Sequence, residues 1–303
     1  MKLFAPNYYK EFKCIADRCT HSCCIGWEID VDKEALKRYR SSAHPYADKV
    51  LSSISSDGEP HFSLCEGERC PHLDERGLCR IITEMGEGYL CDICREHPRF
   101  YNTTPLGREV GLGMSCEEAC RIILSSDSYA VNEIGKARGR VRKCAFIAPV
   151  TRETLYSILS DRTSPYEKRS NDIALRYGIP PTEKSDAEWR EILGSLEYLD
   201  EAHRELFLCY SSNPKTAKSL DGALERALAY FIYRHCAEAE NEAEHRNTVG
   251  LCLMLERLLA SVAAAKGVTT AEALIPYARA LSEELEYSED NTDAIMQEFF
   301  FSF

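Results

Sequence analysis

Eleven of the fifteen cysteines in this 303-residue chain fall between Cys14 and Cys120. The stretch from 57 to 116 within that region is dense in Gly, Pro, Cys and His and holds only short apolar pieces. Such a segment struggles to bury a continuous core by itself. Metal–thiolate bonds can supply the missing folding free energy, on the order of 10 kcal/mol for a structural site. A chain of 34.3 kDa is large enough to fold without disulfides. Its first residues, Met1 to Tyr9, contain no apolar stretch of signal-peptide length. No apolar run approaches the ~20 residues of a membrane span. The expectation is a cytoplasmic protein in a reducing compartment, where clustered thiols favour metal or catalytic roles over disulfides.

The spacings narrow the chemistry without fixing it. The series runs Cys14-x4-Cys19-x3-Cys23-Cys24-x-Gly26-Trp27, then Cys70-Pro71-His72-Leu73, Gly77-Leu78-Cys79, Cys91-x2-Cys94-x2-His97-Pro98-Arg99 and Ser115-Cys116. Thiolates are soft ligands suited to zinc, copper(I) and iron–sulfur clusters. Adjacent Cys23 and Cys24 can serve one centre only on a tight turn, and Gly26 fits one. A four-thiolate zinc module favours two Cys-x2-Cys pairs, and Cys91/Cys94 is the single example here. The Cys-x2-Cys-x2-Cys run of ferredoxins is absent, as is the Cys-x3-Cys-x2-Cys triplet of radical S-adenosylmethionine enzymes. Spacing alone therefore reads as a thiolate-bound metal, with zinc and iron–sulfur both open. Glu28 and Asp30 stand close to the Cys23-Cys24 turn as acid/base candidates or as solvated carboxylates, and His97 as a ligand or a supporting group. Cys209, Cys236 and Cys252 fall in helical apolar stretches and read as core filler.

The two ends of the chain differ in charge and pattern. Residues 1–150 carry 21 Lys+Arg against 22 Asp+Glu, whereas 151–303 carry 16 against 27. The resulting net charge of −12 argues against a nucleic-acid protein. From about 151 onward the chain reads as successive helices. Trp189 to Tyr210 carries apolar residues at spacings of three and four, which predicts one helical face. Ser185 with Glu188, and Thr269 with Glu272, match a capping box. Further helices are expected over 219–242, 246–266 and 292–301, with another after Asp32 and one over 45–55. Lys136 to Lys143 is a basic connector. The expected architecture is mostly α: a cysteine-rich, loop-rich metal-binding domain over 1–145, packed on an α-helical domain over 146–303. No phosphate loop, dinucleotide turn, His-Glu-x-x-His or Gly-x-Ser-x-Gly motif is present.

The motifs resemble those of the flagellin lysine-N-methylase family. The likeness runs from Pro6-x-Tyr8-Tyr9 through Cys23-Cys24-x-Gly26-Trp27-x-Ile29-Asp30. It continues through Gly86-Glu87-x-Tyr89-Leu90, Cys94-Arg95-x-His97-Pro98-Arg99 and Ser115-Cys116-x-Glu118-Ala119, covering roughly 6–124. A broader set of small zinc- or iron-chelating domains is similar at Cys19, Cys23, Cys24, Cys70, Cys79 and Cys94. The resemblance implies S-adenosylmethionine-dependent methylation of lysine side chains on a flagellin-like protein. It also implies a [4Fe–4S] cluster held by N-terminal cysteines. The matching thiols are Cys14, Cys19, Cys23, Cys24, Cys70, Cys79, Cys94 and Cys116. Cys65, Cys91 and Cys120 fall outside that pattern. Eight thiols exceed the four that one cubane needs. The rival reading is a non-catalytic zinc- or iron-binding structural or interaction protein. Either reading requires Cys19, Cys23, Cys24, Cys70, Cys79 and Cys94 to meet in space.

Overall fold

The computed structural model describes residues 1–55, 57–179 and 184–300. The chain forms two compact units. One is continuous, Lys13–Pro98; the other combines Met1–Phe12 with Arg99–Phe303. This division departs from a boundary at 145/146, and strand pairing explains why. Strand β1 (Lys2–Pro6) joins a sheet whose other strands all lie beyond residue 98, so the first residues belong with the helical unit.

In the smaller unit, α1 (Lys33–Ser41) starts where the Asp32 carboxylate accepts from the Ala35 N–H, so the helix expected after Asp32 is present. It buries Ala35 and Tyr39. Helix α2 (Tyr46–Ser52) follows, then a short hairpin of β2 (Ile54–Ser55) and β3 (His61–Phe62), and later α3 (Asp92–Glu96). Tyr39, Val50, Phe62 and Ile81 form a small core that also takes in cysteine side chains.

The larger unit holds a four-stranded sheet that the sequence pattern did not announce. Its order is β4 (Arg99–Thr103), β5 (Arg108–Leu112), β1, β6 (Val131–Lys136). β4 and β5 form a hairpin, β1 runs parallel to β5, and β6 lies antiparallel to β1. The basic connector thus begins inside a strand, and Arg142 beyond it pairs with Glu240. Helices α4 (Glu117–Ser125), α5 (Ala148–Leu159), α6 (Tyr166–Arg176), α7 (Asp186–Ser195), α8 (Glu201–Phe207), α9 (Asp221–His235), α10 (Glu242–Ala265), α11 (Ala271–Leu281) and α12 (Glu289–Phe300) complete it. The mostly α expectation therefore stands, with this sheet added. The capping box at Ser185 is present. At α11 the cap is Thr270, one residue later than the motif suggested.

The apolar pattern from Trp189 to Tyr210 splits between α7 and α8 rather than running along one helix. Leu196 is extended, and the N–H groups of Leu199 and Asp200 donate to Glu284 at 2.7 and 3.2 Å. A carboxylate some 85 residues away satisfies this turn, so no local signal marks it. Helix α10 has the length and mean hydropathy, 1.6, of a membrane span. It is more apolar than a search for uninterrupted runs suggests, but 89% of its most apolar window is buried in protein, as for a core helix.

One ion pair ties sheet to helices. Glu109 on β5 accepts both Nη groups of Arg152 on α5 at 2.7 and 2.8 Å. Both side chains are 3% exposed, and the guanidinium lies 4.9 Å from the Tyr233 ring centre. Removing one partner leaves an uncompensated buried charge. Glu109→Ala is expected to destabilise the chain by about 3–5 kcal/mol. Denaturant unfolding checks this, and a loss near zero would show that the pair is dispensable.

Candidate metal centre

The local backbone explains how the Cys23-Cys24 pair can face one region. Ser22 opens a turn in which its carbonyl accepts from Ile25 and its hydroxyl from the Cys24 N–H. Gly26 completes it at φ +82°, a conformation that L side chains rarely adopt. The turn is stitched to the next cysteine loop, since the Cys70 N–H donates to the Cys24 carbonyl at 2.8 Å. Gly26 also donates to the Glu68 carbonyl. Leu73 bridges to Cys79, and the Arg80 N–H donates to the His72 carbonyl at 2.7 Å, closing the loop from Cys70 to Cys79.

Cys70 and Cys91 are buried in the smaller unit's core, and Cys24, Cys79 and Cys94 pack against it. The Sγ atoms of Cys91 and Cys94 lie 3.4 Å apart. Cys91, outside the family pattern, is fully buried here, and its Cys-x2-Cys spacing to Cys94 was the signal that could have placed it. Cys23 is exposed but hydrogen-bonds Cys24. Cys19 donates to the His21 carbonyl at 2.8 Å. Cys14 is exposed and accepts from the Ala16 N–H. Cys116 belongs to the other unit, at the start of α4. Among the described residues, no three His, Cys, Asp or Glu side chains are grouped so that they could hold a metal ion. Thus Cys24, Cys70, Cys79, Cys91 and Cys94 share one small core. Cys65 is exposed, whereas Cys120 is fully buried in the larger core. Cys236 and Cys252 also lie in that core, with half-buried Cys209 packed against it. Glu28 and Asp30 are exposed on either side of buried Ile29.

The five shared thiols interact electrically. Burial, then the charges of Cys24, Cys79 and Cys91, push Cys70 up to about 12. Burial likewise raises Cys79, with Cys24 and Cys91 adding to it. The hydrogen bond between Cys91 and Cys94 raises Cys94 strongly and lowers Cys91. Cys24 is held down at about 7, chiefly by its hydrogen bond with Cys23 and against burial, with help from Ser22 and Arg69. These are soft donors in a place where a free thiolate is unfavourable, and a bound cation would remove that penalty. The chemistry of these donors, though not their grouping, fits a thiolate-bound metal.

The larger unit contains a separate cavity of about 310 Å³. Phe100 and Asn102 of β4, Arg234 and His235 of α9, and Glu289 and Asp293 of α12 contribute to its walls. Its floor is a closed ion network. Glu286 accepts from His235 Nε2 at 2.7 Å and from Tyr230 Oη at 3.1 Å, and pairs with Arg234 Nε at 3.3 Å. Burial opposes ionisation of Glu286, but Arg234 and His235 outweigh it and hold the carboxyl below its ordinary value. The Arg234 guanidinium lies 4.9 Å from the Phe100 ring centre and 4.4 Å from that of Tyr287.

Three curated relatives share the same degree of likeness. The chain is 30% identical over 141 residues to the flagellar biosynthetic protein FliU of Salmonella muenchen, covering 42% of this chain and 80% of that protein. It is also 30% identical over 141 residues to proteins named lysine-N-methylase from Salmonella typhimurium and Salmonella choleraesuis. There the match covers 42% of this chain but only 34% of either relative, so it spans about a third of their length. No family model and no solved structure matches the chain.

The thiol environments predict a pH dependence of the metal-free chain. Cys70 and Cys79 have folded values above the unfolded value of about 8.5. The stability they contribute is fully present below that value and is lost as pH rises through it toward the folded value. Cys24 acts oppositely: its contribution is present above about 8.5 and lost as pH falls through about 7. The thermal stability of metal-free protein should therefore fall as pH rises from about 8.5 toward about 12, and less so for Cys70→Ser. Identical pH slopes for the two proteins would refute this picture of Cys70.

Proposed function

The chain belongs to the flagellin lysine-N-methylase family, and on that premise we propose that it methylates lysine side chains of a flagellin-like protein with S-adenosylmethionine. The kinship to proteins named lysine-N-methylase carries this reading. In the transfer, the neutral lysine amine attacks the sulfonium methyl. A C–N bond forms, the S–CH3 bond breaks with its electron pair going to sulfur, and the amine sheds a proton. Such a step needs a desolvated, deprotonated amine. The acidic character of residues 151–303 and the Glu289 and Asp293 carboxylates at the cavity support attraction of a lysine-bearing surface to the larger unit.

The thiols that would hold an iron–sulfur centre are Cys24, Cys70, Cys79 and Cys94, the four family-matched positions in the smaller unit's core. Cys91 is a fifth donor beside them. When bound, such a centre supplies metal–thiolate bonding that holds the loops together. One observation favours a second reading. Two thiolates on one tetrahedral zinc at about 2.3 Å stand about 3.8 Å apart. The 3.4 Å between Cys91 and Cys94 is close to that bite, which suits a single ion taking both. On that reading the protein is a zinc-binding structural module.

Anaerobic purification separates the two. The enzyme reading expects iron with acid-labile sulfide, and methyl-sized mass additions on flagellin lysines after incubation with S-adenosylmethionine. Absence of product on several flagellins with the centre intact would overturn it, and colourless protein with stoichiometric zinc would favour the module. Glu289→Gln with Asp293→Asn is expected to raise KM for the protein substrate several-fold, with kcat nearly kept, as for loss of uniform binding. An unchanged KM would remove the cavity from substrate capture.

A further inference from the structure

His72 sits in the Cys70-Pro71-His72 segment, where its type and spacing suggest a metal ligand. Its surroundings point elsewhere. The ring is 0% exposed, and both nitrogens have partners. Nδ1 lies 3.1 Å from the Tyr46 hydroxyl and Nε2 lies 2.9 Å from the Ser53 hydroxyl. The Ser53 hydroxyl has one hydrogen, which it donates to the Val50 carbonyl at 2.7 Å. It must therefore accept from His72, which makes Nε2 the protonated nitrogen. In the neutral ring Nδ1 is then the acceptor, and the Tyr46 hydroxyl donates to it. This proton inventory is closed, so neither nitrogen has a lone pair left for a metal. The Phe62 and Tyr46 rings meet the imidazole edge-on at 4.8 and 5.7 Å.

The same residue is tied to the cysteines through its backbone. Its carbonyl accepts from Arg80, next to Cys79, and Cys70 lies two residues before it. The Arg80 guanidinium in turn lies 4.7 Å from the Tyr46 ring centre. Helix α2, which presents Tyr46 and is capped by Ser53, is thereby clamped to both ends of the Cys70–Cys79 loop.

We propose that His72 is a positioning residue, a neutral strut between Tyr46 and Ser53 that sets the separation of the Cys70 and Cys79 thiols without ligating metal. This rests on the reading of Cys70 and Cys79 as metal donors, and groups that orient ligands typically matter by 10- to 100-fold in metal affinity. The test uses the full chain, with Co²⁺ as the optical probe, and the variants Tyr46→Phe, Ser53→Ala and His72→Ala. If His72 is a strut, Tyr46→Phe and Ser53→Ala each weaken Co²⁺ binding by about tenfold. The thiolate charge-transfer and d–d bands of the saturated proteins stay as in the unsubstituted chain. If His72 is a ligand, His72→Ala alone alters the bands while Tyr46→Phe and Ser53→Ala bind normally, and the proposal falls. Normal binding by all three variants overturns it as well. A second readout needs no metal: in the metal-free chain, Tyr46→Phe should raise the alkylation rates of Cys70 and Cys79 several-fold but not that of buried Cys120. Unchanged rates overturn the strut. If the unsubstituted chain takes up neither Co²⁺ nor iron and sulfide, the metal reading fails, and the alkylation arm still decides the strut.

Discussion

A thiol buried in an apolar core is comfortable while protonated and costly once ionised, and the smaller unit is organised around that asymmetry. Cys70 is pushed up to about 12 by burial and by neighbouring sulfurs, and Cys79 and Cys94 are raised too. Cys24 is held near 7 by its own turn. A core that gathers five thiols gains little from them as small hydrophobes that larger side chains would not supply better. It would gain much more from a cation that converts them to thiolates, because each charge that burial penalises would then be paired. The backbone ties from Cys24 to Cys70 and from His72 to Arg80 hold these loops together.

The larger unit follows a different logic. Its core is conventional, with α9 and α10 at the centre, and its buried charges come in partnered sets. Glu109 with Arg152, Glu225 with Arg169, and Glu286 with Arg234 and His235 each neutralise a carboxylate inside the fold. A Glu-rich π-helical turn at Ser282–Glu286 supplies several of these contacts, sending Glu284 to the α7–α8 turn and Glu286 to the cavity floor. Such turns are frequent at functional sites. The cavity carboxylates Glu289 and Asp293 stand just beyond it.

The helices were legible in the sequence because their signals are local: Asp32 before α1 and the Ser185–Glu188 box before α7 are caps readable within four residues. The sheet was not, because β1 is five residues long and its partners lie more than 100 residues away. That long-range pairing also moves the first twelve residues out of the cysteine-rich unit. The break between α7 and α8 was hidden for the same reason, since its N–H groups are satisfied from Glu284. For the cysteines, motif likeness picked out Cys24, Cys70, Cys79 and Cys94, which share a core, but also Cys14, which is exposed. It omitted Cys91, whose burial beside Cys94 depends on tertiary packing. His72 passed without a role in the sequence, and its two hydrogen-bond partners show both ring nitrogens engaged.

The proposed metal centre requires thiols of the smaller unit to meet on one ion or cluster. X-ray absorption at the metal edge of anaerobically purified protein tests it most directly, because it counts the neighbouring atoms by element. The account predicts a first shell of sulfur alone at about 2.3 Å, as for thiolate ligation, with sulfur neighbours lost when Cys70 and Cys79 are both replaced by serine. A shell of nitrogen and oxygen, or a sulfur shell indifferent to those replacements, would contradict it.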